Sequence, residues 1–275
     1  MEPAFLDDRA IIAISGPEAR DFLQGLVTND VVDGLAPGIG LYTALLSPQG
    51  KILFDFFVTE GEGALLLDCT RQARDTLLRK LKMYRLRARI EIEARDQLGV
   101  YSNLKGHPAN REVSYADRAI TFADPRLTEM GMRSIGAIAE MPAQLPGADS
   151  YHQMRLTLGL PEGRDFGSEK VFALDAGLEE LHGVSFTKGC YIGQELTSRM
   201  KHRATARKRI LAVTAQTDLP QTGTLARGGN EIGEILSSYG PRAFALVRLD
   251  RLEEAQGGIT AGEIPVELSR PKWLA

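Results

Sequence analysis

The chain has 275 residues, 33 of them basic and 36 acidic, for a formal charge of −3; 43% are hydrophobic and 25% charged. That length suits one or two domains, and the composition is that of a folded chain rather than a disordered one. No apolar run approaches the roughly 18–20 residues of a membrane-spanning helix, and the first residues are acidic and mixed, so membrane, secretory and transit-peptide readings are set aside.

In chain order, residues 9–14 (RAIIAI) are an apolar run that predicts a strand. Ser15 followed by Glu18 reads as a capping box, which predicts a helix carrying Phe22, Leu23, Leu26 and Val27 on one face and ending around Asn29, Asp30 and Gly34. Residues 40–46 and 51–58 flank Ser47-Pro48-Gln49-Gly50 and predict a hairpin. Another strand is expected at 64–68. Leu77, Leu78 and Leu81 then recur at helical spacing, and Leu86, Ala88, Ile90 and Ile92 alternate as in a strand. Residues 102–150 carry weak strand signals near 118–123 and 133–139. Residues 151–160 predict a helix stopped by Gly159 and Pro161, and 161–180 read as loop. Past 207, short alternating runs at 209–214, 231–237, 243–249 and 264–268 predict a small antiparallel β domain. The expected domains are therefore 1–205 and 206–275.

Charge is unevenly spread. Residues 71–89 hold eight Lys/Arg and one acid, and residues 199–209 hold six and none. Such blocks are either solvated faces or an anion-facing patch. The two cysteines, Cys69 and Cys190, form neither a disulfide framework nor a metal-ligand set, which fits a reducing compartment. His107, His152, His182 and His202 show no ligand spacing.

Residues 187–200 (TKGCYIGQELTSRM) carry the most information. Two glycines bracket Cys190 and Tyr191, and Gln194 onward favours helix. A loop thiol near a helix start, with Lys188 two residues away, would lean toward thiolate. A buried core cysteine is the other reading that the residues leave open.

The run Lys188-Gly189-Cys190-Tyr191-Ile192-Gly193-Gln194-Glu195 resembles the signature of the YgfZ family of folate-binding proteins, which includes a mitochondrial iron–sulfur cluster assembly homologue. The likeness continues through 199–203 and appears again at 22–31, 50–57, 158–163, 233–237 and 243–250. It implies an α+β fold shared with the T-protein (aminomethyltransferase) of glycine cleavage, with a C-terminal antiparallel β-barrel. It also implies tetrahydrofolate as ligand and an accessory role in maintaining iron–sulfur enzymes, among them one that modifies tRNA.

The same resemblance implies site residues. Cys190 and Asp55 would do the chemistry, while Asn29, Lys188, Gly189, Tyr191, Gly193, Gln194, Glu195 and Arg199 would bind the cofactor, with Lys201 and Arg203 on a basic rim. Three departures from the T-protein stand out. Cys190 replaces an acid, Phe54-Asp55 keeps one of two adjacent acids, and Thr157 replaces a pterin-binding Glu. A hydroxyl cannot give a pterin the two-point acceptor a carboxylate gives. The expected function is a tetrahydrofolate-binding accessory protein for iron–sulfur maturation with no turnover of its own; the alternative is a folate-dependent aminomethyl or methyl transferase. Expected partners are folate and iron–sulfur client or carrier proteins. One thiol builds no cluster alone, so no metal is expected to be held by this chain by itself. A cytoplasmic monomer without membrane or direct nucleic-acid contacts completes the expectation.

Overall fold

The computed structural model describes residues 3–105, 119–140, 145–202 and 207–274. In chain order they form β1 (Ala4–Phe5), β2 (Arg9–Ser15), α1 (Ala19–Gln24), β3 (Gly40–Leu46), β4 (Ile52–Gly61), β5 (Ala64–Thr70), α2 (Arg74–Tyr84), β6 (Glu91–Ala94), β7 (Leu98–Asn103), β8 (Ile120–Ala123) and β9 (Met132–Ala137). Next come α3 (Asp149–Leu158), α4 (Gly163–Phe166), α5 (Gln194–His202), β10 (Lys208–Ala215), β11 (Gly223–Arg227), β12 (Asn230–Tyr239), β13 (Arg242–Arg248), α6 (Leu249–Glu254), β14 (Ile259–Ala261) and β15 (Ile264–Ser269). These elements group into two compact units. The first is Met1–Leu46, Phe54–Met154 and Leu181–Ile192; the second is Ser47–Leu53, Arg155–Glu180 and Gly193–Ala275.

The first unit holds two sheets, ordered β3-β4-β5-β2-β6 and β1-β7-β9-β8. β2 pairs antiparallel with β5 from Arg9↔Thr70 to Ser15↔Ala64 and is buried along nearly its whole length. Burial of both faces is why it reads as an unbroken apolar run rather than an alternating one. A charged seam runs through this core. Arg9 donates to Asp68 at 2.6 Å, and Arg133 on β9 donates to the same carboxylate on β5 at 2.5 Å, so one aspartate joins the two sheets. Arg126 donates to Asp124 at 2.7 Å and to the Tyr151 hydroxyl at 2.9 Å. The Arg133 and Arg126 guanidinium groups lie 4.1 and 4.6 Å from the centre of the Phe57 ring. Cations this deep persist only with such partners, and losing one carboxylate would strand the rest.

The second unit is built on a closed antiparallel barrel, β10-β13-β12-β11-β14-β15. Its core includes Leu211, Val213, Leu225, Ile232, Ile235 and Val247. Closure leaves no open sheet edge. Beside the barrel, Arg155 donates to Asp165 at 2.5 Å, and the Ser237 and Tyr239 hydroxyls donate to Asp165 at 2.9 and 2.6 Å. α3 stops at Gly159, whose φ is +65° and whose missing Cβ would lie 2.6 Å from Pro271. Both the backbone and the space require glycine there.

The α+β class and terminal β-barrel agree with the sequence reading. Several local details differ. The Ser15–Glu18 capping box does not form. Ser15 is taken up by the β2 ladder, and the Glu18 carboxylate instead accepts from Arg89 N–H at 2.9 Å and Nε at 2.6 Å. A capping box does form at Glu162 and Asp165, opening α4 in a stretch that reads as loop. α1 ends at Gln24 with Gly25 as cap, before Asn29. The strand expected from residue 86 begins only at Glu91. β11 and β14 in the barrel are too short to show in the pattern. The boundary expected between 205 and 206 lies outside the described residues.

Candidate functional site

The turn after α1 explains the 22–31 motif. The Asp30 carboxylate accepts from the backbone N–H groups of Val32 (3.2 Å) and Asp33 (3.0 Å), and the Asp33 N–H is the main reason it is held below the usual carboxylate range. Gln24 donates to Asp30 at 3.0 Å and accepts from Val31 N–H at 2.8 Å. Thr28 donates to the Gly183 carbonyl at 2.6 Å. Asn29 donates to the Tyr42 carbonyl at 2.8 Å and to the His182 carbonyl at 2.7 Å. These polar side chains fix where the backbone carbonyls of this turn point.

Three of those carbonyls converge on one cation. Lys188 is 7% exposed, and its Nζ donates to the carbonyls of Gln24 (2.7 Å), Val27 (2.7 Å) and Asn29 (2.8 Å). Its three donors are thereby matched by three acceptors at the negative end of α1. Burial pushes its pKa down to about 8, so the ammonium remains charged at neutral pH. It also lies 5.2 Å from the centre of the buried Tyr191 ring. The Lys188 ammonium, expected to favour the thiolate, faces inward and anchors the loop.

The anchored loop carries Cys190 outward. Lys188 and Tyr191 are buried, while Gly189 and Cys190 between them are exposed. An ideal Cβ built on Gly189 would meet nothing within 4 Å. The thiol thus stands on a short arch with both feet in the core. Cys69 is the opposite case. It is 1% exposed, its thiol donates to the Ala10 carbonyl at 3.6 Å, and burial pushes its pKa up to about 12. That thiol is inert core.

Asp55 joins the same group through Tyr42. The Tyr42 hydroxyl donates to Asp55 at 2.9 Å, and the carbonyl of the same residue takes the Asn29 amide. Asp55 is 5% exposed, and Arg126 lies 5.3 Å from the Tyr42 ring centre. The structure thus links Asn29, Asp55, Lys188 and Tyr191 within the first unit. Gly193, Gln194, Glu195 and Arg199 belong to the second, where Gly193 has φ +82° and Gln194 opens α5. Arg199 is paired with Glu195 at 2.7 Å, and Lys201 with Glu179. The basic rim expected here is therefore largely neutralised; Arg203 lies outside the described residues.

Sequence reasoning missed Tyr42, Gln24 and Asp175. Gln24 sat inside the recognised motif without a role, whereas nothing in the sequence marked Tyr42. Asp175, in the second unit, is 5% exposed and desolvated, which pushes its pKa up to about 6 against the pull of Arg209 and Lys208. Among the described residues, no group of three His, Cys, Asp or Glu side chains could hold a metal ion, and no helix is long and apolar enough to cross a membrane.

The whole architecture matches a solved aminomethyltransferase T of the glycine cleavage system from Bartonella henselae. The match covers 98% of this chain and 85% of that one with a TM-score of 0.76, at 18% identity. Residues 207–275 match the family model for the C-terminal β-barrel domain of CAF17. These define a T-protein-like fold ending in a CAF17-type barrel. Relatives matched over most of their length sharpen the class. The mitochondrial iron–sulfur cluster assembly factor IBA57 is 32% identical in Mus musculus and 33% in Homo sapiens, each over 90% of this chain and 78% of the relative. A homologue from Coccidioides immitis is 30% identical over 98% of this chain and 77% of its own length. The chain belongs to the IBA57 family of iron–sulfur cluster assembly factors. The expectation of a cytoplasmic protein is corrected by these names, each of which is mitochondrial.

Proposed function

We propose that this protein is an accessory factor in iron–sulfur protein maturation that presents Cys190 to a cluster held mainly by another protein. The observation that carries this reading is the exposed thiol on a loop whose neighbours are fixed by three hydrogen bonds from one buried lysine. A ligand that must meet a partner's cluster needs an exposed sulfur and a stiff mount. One thiolate cannot hold a cluster, so the remaining ligands come from a carrier or client protein. In the encounter the Cys190 thiolate replaces one thiolate ligand on an iron of the partner's cluster, the cargo of the step: one Fe–S bond forms as another breaks, and the departing thiolate takes up the proton that the Cys190 thiol gives up. The family's relatives, named as cluster assembly factors, support this direction.

We further propose tetrahydrofolate as a ligand, in keeping with the YgfZ-like signature, and tRNA-modifying enzymes among the clients. The donor set fits at one point and not at another. Asp55, held by the Tyr42 phenol, is a carboxylate of the kind a pterin's amino groups require. Thr157 does not, since its hydroxyl accepts from Arg242 at 3.0 Å. Asp55 is thus the carboxylate that folate would use. Calorimetric titration with tetrahydrofolate is expected to give heat that Asp55→Asn abolishes. A flat titration of the unaltered protein removes folate from the proposal.

The cluster reading is tested by complementation. Cys190→Ala is expected to fold normally and to fail to rescue a strain lacking the protein. Full rescue would make the thiol dispensable and the reading wrong.

A further inference from the structure

Between Asp75 and Glu91 the sequence holds no acid and six basic residues. Arg89 is spoken for by Glu18 at 2.6 Å. Arg79, Lys80, Lys82, Arg85 and Arg87 have no acidic partner among the described residues. They gather on the last turns of α2 and the segment just after it. Complementing the helix dipole explains Lys82 in the last turn, but not Arg85 and Arg87 beyond it.

Two large apolar side chains stand among these cations, Met83 at 73% exposure and Leu86 at 89%. Leu86 also has φ +45°, in the left-handed region where glycine is the usual residue after a helix. Neither burial nor backbone preference accounts for leucine there. A strained, largely exposed apolar knob between two arginines without acidic partners is a feature whose explanation lies outside the chain.

We propose that this corner of α2 is a docking surface for an acidic segment of a partner protein, with Leu86 and Met83 packing against apolar side chains within that segment. The inference is independent of the cluster reading, because α2 contributes no residue to the Cys190 loop. Charge complementarity selects the occupant. An interfacial membrane helix needs an apolar face turned outward, yet the apolar side of α2, Leu77 and Leu81, is buried in the core. A single-stranded nucleic acid needs exposed aromatic rings, yet the local Tyr84 is half-buried with Lys80 6.0 Å from its centre. Arginine and methionine at one patch are the composition of protein interfaces.

The test compares the full chain with Leu86→Gly and with the pair Arg85→Glu/Arg87→Glu. Glycine relieves the backbone at 86, and the arginines are exposed and unpaired, so thermal unfolding should not fall in either variant. The probes are a fluorescein-labelled glutamate-rich peptide with a central Leu-Leu pair, phosphatidylcholine vesicles containing phosphatidylglycerol, and a single-stranded RNA oligonucleotide. The peptide should bind best and in a salt-dependent way, and both variants should weaken it by about tenfold or more. In cells, a photo-crosslinker at position 83 should attach to an acidic protein segment, and Leu86→Gly should abolish that product. Absence of peptide binding, equal binding by the variants, tighter binding to vesicles or RNA, or crosslinks only to a second copy of this chain would overturn the proposal.

Discussion

Lys188 shows how one buried residue fixes the loop that carries an exposed thiol. Its ammonium answers three carbonyls that would otherwise face the interior without that donor. Replacing it with methionine keeps the length and removes the donors. Lys188→Met is expected to cost about 3 kcal/mol, the scale of leaving buried carbonyls unanswered, read as a lower urea midpoint at unchanged slope. A loss below about 0.5 kcal/mol would mean that the loop does not depend on this anchor. Asp175 gives a prediction of opposite sign. Its folded pKa of about 6 lies above the ordinary 3.8, so the native state binds more protons between those values and stability falls as pH rises through them. The penalty is fully present above about pH 6 and relieved below pH 3.8. Asp175→Asn should therefore raise stability at pH 7 by up to about 3 kcal/mol and give no gain at pH 3.5. Equal gains at both pH values in thermal unfolding would contradict the assignment.

At the scale of elements, what the sequence makes legible depends on how local the cause is. The hairpin of β3 and β4, the buried run of β2 and the end of α3 at Gly159 follow from neighbouring residues, and all are present. The motif residues Gln24, Thr28, Asn29 and Asp30 also stood out, yet their shared purpose did not. The partner that gives them one lies far along the chain at Lys188. Ser15 and Glu18 looked like a helix cap because a capping box is a local pattern. The β2 ladder and Arg89, both set by tertiary structure, claimed them instead. The Arg9–Asp68–Arg133 seam had no sequence signal, since its members come from three separate strands.

Across the whole molecule, the two basic blocks exchange the importance the sequence suggested. The 199–209 block follows the signature loop and invited a role at its rim, but Arg199, Lys201 and Arg209 are paired with Glu195, Glu179 and Glu180. The 71–89 block has no motif; Arg74 and Arg89 in it are paired, whereas Arg79, Lys80, Lys82, Arg85 and Arg87 have no acidic partner among the described residues. Composition counts both alike, because pairing depends on which acids the fold brings near. Family membership settles the broad class, and Cys190 is where that class becomes a testable act. The most direct measurement mixes the protein anaerobically with a cluster-loaded iron–sulfur carrier protein and follows cluster absorbance through size exclusion. Cluster colour co-eluting with both chains, and lost with Cys190→Ala, is the predicted result. Co-elution unchanged in Cys190→Ala would contradict it.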